Sequence, residues 1–247
     1  MELLEAIRQR HSIRSYLDKP IDTDVRNALC KYIDECNQEG NLHIQLIENE
    51  PQAFAKRLYH YGLFSNVKNY IALVGKEDAT LNERCGYYGE KIVLKAQMLG
   101  LNTCWVGGTY KKIESVVNLK PDEKFLMIIT IGYGENQGRE HKYKKVKDLS
   151  IGYAELPDWF IKGVEAVAMA PSALNQHSYR FGYRDGKVYI KKGLGFALDT
   201  DIGIAKYHFE VASGKDSKGR LSWRWRVPTW HESKRLYKRF LGCISIC

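Results

Sequence analysis

Near the start of the chain, Arg8 and the stretch Arg10-His11-Ser12-Ile13-Arg14-Ser15-Tyr16 place three arginines, a histidine and a serine within seven positions. Guanidinium groups flanking a hydroxyl at this spacing could hold a phosphate through charge-assisted hydrogen bonds. The same cations could instead serve the negative end of a helix dipole. "MELLEAI" puts Leu3, Leu4 and Ile7 at helical spacing just before them. These residues alone leave both uses open.

Two further stretches offer chemistry. Ala170-Pro171-Ser172-Ala173-Leu174-Asn175-Gln176-His177 follows an apolar helical pattern that Pro171 ends. Ser172, Asn175 and Gln176 then either cap the chain locally or hold a polar ligand. In "GLNTCWVGGTY", Gly107 and Gly108 either form a tight turn or bring backbone N–H groups up to a planar ligand. His11, His177 and His208 suit packing or surface roles better than catalysis, and Cys104, inside an apolar run, reads as core. Asp199 and Asp201 look like a metal pair, but they precede "IGIAKYHFE", where capping a helix is the simpler use.

The elements that must position these residues alternate along the chain. Residues 23–40 form a helix that Asp22 or Thr23 caps and Gly40 stops. "HIQLIE" is a strand, residues 51–64 a helix, "NYIALVG" a buried strand and 83–100 a central buried helix with Ile92, Val93, Ala96, Met98 and Leu99 on its apolar face. "TCWVGGTY" is a short run broken by its glycines, "ESVVNL" a short helix and "KFLMIITIGYG" the most apolar strand. A polar, basic linker is expected over 135–157, followed by a helix over 158–170 with Phe160, Val164, Val167 and Ala168 on one face. Asp185-Gly186 marks a hairpin and 199–213 a last helix. This is an α+β chain of two unequal halves meeting near residue 150, with their strands in a shared sheet.

Bulk properties narrow the choices. A chain of 247 residues, 44% hydrophobic, can bury a sizeable core, and no apolar run is long enough to span a membrane. The acidic, amphipathic N-terminus is unlike a signal segment, so a cytoplasmic protein is expected. Six cysteines form no CxxC pair and read as reduced thiols, which argues against zinc or iron–sulfur sites. Of the net charge of +9, the stretch from Gly214 onward carries +7, as nine cations against Asp216 and Glu232. "SWRWRVPTW" in that tail could stack on nucleic-acid bases, but a solvated amphipathic element accounts for it more simply.

Taken in order, the three stretches make the chain resemble the FMN-dependent nitroreductase family. Arg10-His11-Ser12-Ile13-Arg14-Ser15-Tyr16 matches that family's Arg-[Arg/His]-Ser-x-[Arg/Lys]-x-[Phe/Tyr] motif in full. Its Pro-Ser-[Ala/Ser]-x-Asn-x-Gln-Pro motif appears as Pro171-Ser172-Ala173-Leu174-Asn175-Gln176, with Asn and Gln adjacent and the Gln-Pro missing. Gly100-Leu101, Trp105-Val106-Gly107-Gly108 and Ile131-Gly132-Tyr133 are similar to its later landmarks, with Lys142, Lys144 and Lys145 downstream.

The resemblance implies a nitroreductase-like fold with a mixed or antiparallel central sheet flanked by helices, and FMN as cofactor. Arg10, His11 and Ser12, with Lys144 or Lys145, would hold the phosphate, and Arg14 the N1/O2 edge of the ring. Pro171, Ser172, Ala173, Asn175 and Gln176 would meet the ribityl chain or pyrimidine edge, and Gly107 or Gly108 would meet N5. NAD(P)H and a small acceptor such as a nitroaromatic or quinone would then exchange hydride in a ping-pong cycle that needs no side-chain nucleophile, acid or base. The acceptor would be chosen by loops such as 51–66 and 192–200.

In ordinary members the two motifs lie tens of residues apart, and each flavin site of the homodimer draws on both subunits. Here each motif occurs once, in a different half. That implies a fused pseudo-dimer able to act as a monomer: residues 1–150 with the phosphate motif, 151–213 with the second motif, and a basic tail, 214–247. The sequence leaves two other readings open: a flavin-binding module without turnover, and a nucleic-acid-binding protein led by its tail.

Overall fold

The computed structural model describes residues 1–56, 63–139 and 143–214. The first half is built on alternation. Strand β2 (Tyr70–Lys76) sends Ile71 and Leu73 to one side and Tyr70, Ala72 and Val74 to the other, and both sets are buried. Its neighbour β4 (Glu123–Gly132) does the same, with Met127, Ile129 and Ile131 on one face and Phe125 and Ile128 on the other. Edge strands β1 (Gln45–Ile47) and β3 (Asn102–Val106) complete a four-stranded sheet of order β1-β2-β4-β3, antiparallel at every pairing.

One face is covered by helices α2 (Thr23–Gly40) and α3 (Leu81–Met98), through Leu29, Ile33 and Cys36 from the first and Cys85, Ile92, Val93 and Ala96 from the second. The other face packs on Ile13, Tyr16, Phe54, Phe64 and Tyr110. Helix α2 ends as its sequence requires, with Asn41 in the left-handed region just past Gly40.

The second half wraps around α3. After α4 (Val146–Leu149) and α5 (Asp158–Met169), strands β5 (Tyr179–Arg184) and β6 (Lys187–Lys192) form a hairpin. Asp185 and Gly186 at its turn have φ of 53° and 72°, the positive values that a two-residue turn of this kind needs. Helix α6 (Leu198–Ser213) then lies against both α5 and α3. Phe160, Val164, Tyr179, Phe181, Ile202 and Phe209 form the core of this half. Helix α1 (Leu3–Gln9) joins it to α3 through Ala6, Ile7, Leu94, Ala166 and Tyr207.

Several expectations are corrected. The hairpin does not extend the main sheet: its buried residues Tyr179 and Phe181 pack onto helices, and its own two strands make a separate sheet. Of the helix expected over 51–64, the described part holds a single turn, Gln52–Phe54, that Pro51 starts, and residues 57–62 lie outside the described residues. "ESVVNL" gives only one turn, Glu114–Val116, too short and β-branched to propagate a helix. The linker region is not structureless, since it holds α4 and a turn at Tyr153–Glu155. The tail from residue 215 lies outside the described residues.

Candidate functional site

The arginine motif begins where α1 ends. Arg10 closes that helix by donating its backbone N–H to Ala6, and the residue is 4% exposed. The chain then runs extended beside the open edge of β3. Ser12 pairs with Thr103 in parallel sense, and Ile13 N–H donates to Thr103 O at 3.0 Å. Tyr16 anchors the far end, its hydroxyl 2.7 Å from both Ile13 O and Thr130 Oγ1.

Arg10, Ser12 and Arg14 come together around Cys104. Burial raises that thiol above its ordinary value, and Arg14, Ser12 and Arg10 oppose the shift. Cys104 is 3% exposed and belongs to the core, as its apolar surroundings in the sequence suggest. His11 instead lines a cavity of about 500 Å3 with Arg8, Gln9, Gln97, Gln137, Gly138 and Tyr143. Gly138 has φ of +80°, and a Cβ there would stand 2.6 Å from that of His11, so only glycine lets the wall close this tightly. Lys144 and Lys145, both exposed, follow Tyr143 directly, while Lys142 lies outside the described residues.

Two observations bear on whether an anionic cofactor fits. Arg10 Nε and His11 Nε2 are buried without a hydrogen-bond partner among the described residues. Such orphans are costly unless a ligand completes them. The second concerns charge. Glu90, fully buried on α3, accepts the Trp105 indole N–H at 2.9 Å and faces His208 Nε2 at 2.9 Å, while His208 Nδ1 lies 3.0 Å from Ala166 O. Nδ1 must donate to that carbonyl, so one proton is left for the Glu90–His208 contact. Whichever partner holds it, the pair is neutral overall. Arg10 Nε, 3.9 Å from Glu90 Oε1, therefore keeps a positive charge with no full counter-ion. A phosphate dianion suits that unbalanced charge, and the cavity that the neighbouring His11 lines is within the size range of ligand sites. The residues fit the anionic end of a phosphate-bearing cofactor.

The second motif is held rigidly in the other half. Ser172 Oγ accepts His177 N–H at 3.1 Å and meets His177 Nδ1 at 3.2 Å, and His177 is itself buried, with Nε2 2.9 Å from Ala170 O. Leu174, Asn175 and His177 all take positive φ, a costly backbone for residues other than glycine. Beneath the loop, both carboxylate oxygens of Asp201 accept the Ala173 N–H, at 3.0 and 3.1 Å. Burial pushes Asp201 up to about 7. Asp199 pairs with Lys192. Neither aspartate caps its own helix as expected: Ala197 occupies that position, in the left-handed region. Pro171, Ser172 and Ala173 are partly covered, whereas Asn175 and Gln176 are exposed.

No hydrogen bond or ion pair joins the 171–176 loop to the 10–14 stretch among the described residues. The link runs through 193–196. Gly193 N–H donates to Ser178 O at 2.7 Å, a Cβ on Gly195 would lie 3.5 Å from Gln176 Oε1, and one on Gly107 would lie 3.2 Å from the Phe196 ring. Gly107 and Gly108 are exposed at the end of β3, four residues beyond Thr103, roughly 13 Å along the strand.

The sequence reading passed over Glu83, Glu90 and Lys206. Glu83 pairs with Lys206, Tyr87 donates to Glu210 at 2.8 Å and Glu90 meets His208, so one face of α3 carries three polar ties to α6. Two acids seven residues apart in a helix with a broad apolar face were the available signal.

The antiparallel sheet with helices packed on it is a nitroreductase-like fold. The chain belongs to the family described as "Putative TM nitroreductase", whose profile matches residues 2–213. No curated protein matches the chain. Among solved structures, a "putative nitroreductase" of Thermotoga maritima is 24% identical, with a TM-score of 0.63 over 89% of this chain and 87% of that one. A "Putative NADH dehydrogenase/NAD(P)H nitroreductase" of Parabacteroides distasonis is 15% identical, with a TM-score of 0.50 over 61% of this chain and 97% of its own. An "FMN-dependent Nitroreductase" of Clostridium difficile is 17% identical, with a TM-score of 0.47 over 62% and 97%. At these identities the likeness is one of fold. Among the described residues, no helix is long and apolar enough to cross a membrane, and no cluster of His, Cys, Asp and Glu could hold a metal.

Proposed function

We propose that this protein is an FMN-dependent NAD(P)H oxidoreductase acting on a small electron acceptor such as a nitroaromatic or quinone. The observation that carries the reading is the buried Arg10 guanidinium, with an unpartnered Nε and no full counter-ion, next to the unpartnered Nε2 of His11. Arg10, His11 and Ser12, with Lys144 or Lys145, would hold the phosphate. Arg14 lies farther along the same edge, where a cation would favour an anionic reduced ring. Gly107 and Gly108 would offer backbone N–H groups at the far end of β3, and Ser172, Asn175 and Gln176 would supply polar contacts from the second half. When bound, FMN would supply a centre that takes hydride from NAD(P)H and passes it to the acceptor in a ping-pong cycle. The chain's own residues would bind and orient, and none is needed as nucleophile, acid or base.

On this reading residues 1–150 and 151–213 work as a fused pseudo-dimer with one site at their junction. Glu83, Tyr87 and Glu90 on α3, tied to α6, support it by fixing the halves to each other. The test is the visible spectrum of the purified protein, before and after NADH or NADPH is added without oxygen. Bands near about 370 and 450 nm that bleach with nucleotide are expected of a flavin reductase. A colourless protein that takes up no added FMN would end the proposal.

A further inference from the structure

Ten large apolar side chains are exposed among the described residues, and three of them, Leu174, Leu194 and Phe196, sit on two loops that touch each other. Phe196 is 59% exposed, yet its position is not free. It is carried by a loop whose Gly193 is hydrogen-bonded to Ser178 and whose Gly195 abuts Gln176, and its ring edge lies against the backbone of Gly107. The aromatic ring thus comes from the second half and rests on Gly107 of the first. Gln176 reaches the same loop at Gly195, and Asn175, Gln176, Gly107 and Gly108 are all exposed.

An exposed aromatic ring fixed beside exposed glycine backbone is an arrangement for gripping a flat ligand, with one apolar surface to stack on and backbone polar groups to orient it. We infer that Phe196 is a specificity-determining residue that stacks on the planar ring of an aromatic electron acceptor, an inference resting on the oxidoreductase reading above. It accounts for an apolar side chain kept in solvent, and for glycines at 193 and 195. A Cβ at 193 would strike Ser178 O at 2.7 Å and one at 195 would press on Ser178 Oγ at 3.1 Å, so larger residues there would lift the ring from Gly107.

The test compares wild type with Phe196→Ala and Phe196→Tyr in three readouts. FMN content reports the cofactor claim by itself. Calorimetric titration of 4-nitrobenzoate into the oxidised, FMN-loaded protein reports stacking without turnover. The ratio of kcat/KM for 4-nitrobenzoate to that for ferricyanide reports discrimination, since in a ping-pong cycle the half-reaction with NAD(P)H cancels from it. Phe196→Ala is expected to weaken 4-nitrobenzoate binding and to lower the ratio, each about tenfold, with Phe196→Tyr restoring both. An unchanged ratio or affinity in Phe196→Ala overturns the inference. So does wild-type protein that dimerises through this patch, with Phe196→Ala monomeric. A wild-type protein that binds no FMN overturns the oxidoreductase reading, and this inference with it.

Discussion

Glu90 Oε1 lies 2.9 Å from His208 Nε2, and neither residue has any surface exposed to solvent. Separated by 118 positions, the two bind α3 to α6 at the heart of the molecule. Glu90→Ala would leave the Trp105 indole N–H, His208 and Arg10 facing a void. Breaking a buried pair from one side costs about 3–5 kcal/mol. Glu90→Gln keeps the shape and one acceptor, and should cost about 1–3 kcal/mol. Urea denaturation of the three proteins checks both the loss and its order. A Glu90→Ala variant as stable as wild type would show that the pair holds nothing together.

Asp201 gives a pH dependence of definite sign. Its folded value is about 7, against 3.8 for a free side chain, because the carboxylate is buried beneath the 171–176 loop. The folded state therefore holds the proton more tightly than the unfolded state. Its contribution to stability is greatest below about pH 4, declines as pH rises from 4 to 7, and levels off above 7. Asp201→Asn carries no charge at any pH and can still accept the Ala173 N–H. The stability of wild type relative to Asp201→Asn should therefore fall between pH 5 and 7, with melting temperatures parting by a few degrees at pH 8. Parallel curves would exclude Asp201 as the titrating group.

Local order was legible because local chemistry dictates it. Gly40 ends α2, Asp185-Gly186 turns the hairpin, and Phe160, Val164 and Val167 face the core of the second half. The arginine motif and the 171–176 loop were also visible, because backbone rules leave Pro, Ser and Asn recognisable. The contacts that join the halves were not. Glu90 with His208, Asp201 with Ala173 and Phe196 with Gly107 each depend on how helices and loops from distant parts of the chain meet, and periodicity carries no information about that. The separate hairpin was missed for the same reason. Alternation identifies a strand but not its sheet.

Close packing of the halves makes a third prediction. A Cβ on Gly203 of α6 would collide with the carbonyl oxygen of Glu83, and one on Gly86 of α3 with that of Thr200. Backbone cannot step aside as a flexible side chain can, so the helices would have to separate. Gly203→Ala should lose about 1–3 kcal/mol despite its better helix propensity, and Gly86→Ala the same. At exposed Gly152, with open space around it, the strain of φ +70° is the only penalty and the cost should be smaller. Thermal melts of the three variants settle the order. Equal losses would mean that the α3–α6 approach is looser than its geometry.

The fourth prediction concerns the cradle itself. A charged hydrogen bond is worth about 1.5–3 kcal/mol, so Arg10→Ala should weaken FMN binding by roughly ten- to a hundredfold. The same change removes the cation beside Glu90, so lost stability could mimic lost affinity. His11→Ala separates the two effects. Among the described residues His11 Nε2 has no partner and His11 makes no ion pair, so its removal frees no buried charge. If both groups complete their hydrogen bonds on a phosphate, both variants should bind FMN more weakly, while only Arg10→Ala melts markedly earlier. Asn175→Ala should also weaken FMN without altering the melt, because the exposed side chain lies in the other half. Fluorescence titration with FMN, paired with calorimetry, reads affinity and stability independently. Loss confined to Arg10→Ala would leave the guanidinium as a structural cation held by Glu90, and FMN retention unaltered in all three variants would remove the phosphate cradle altogether.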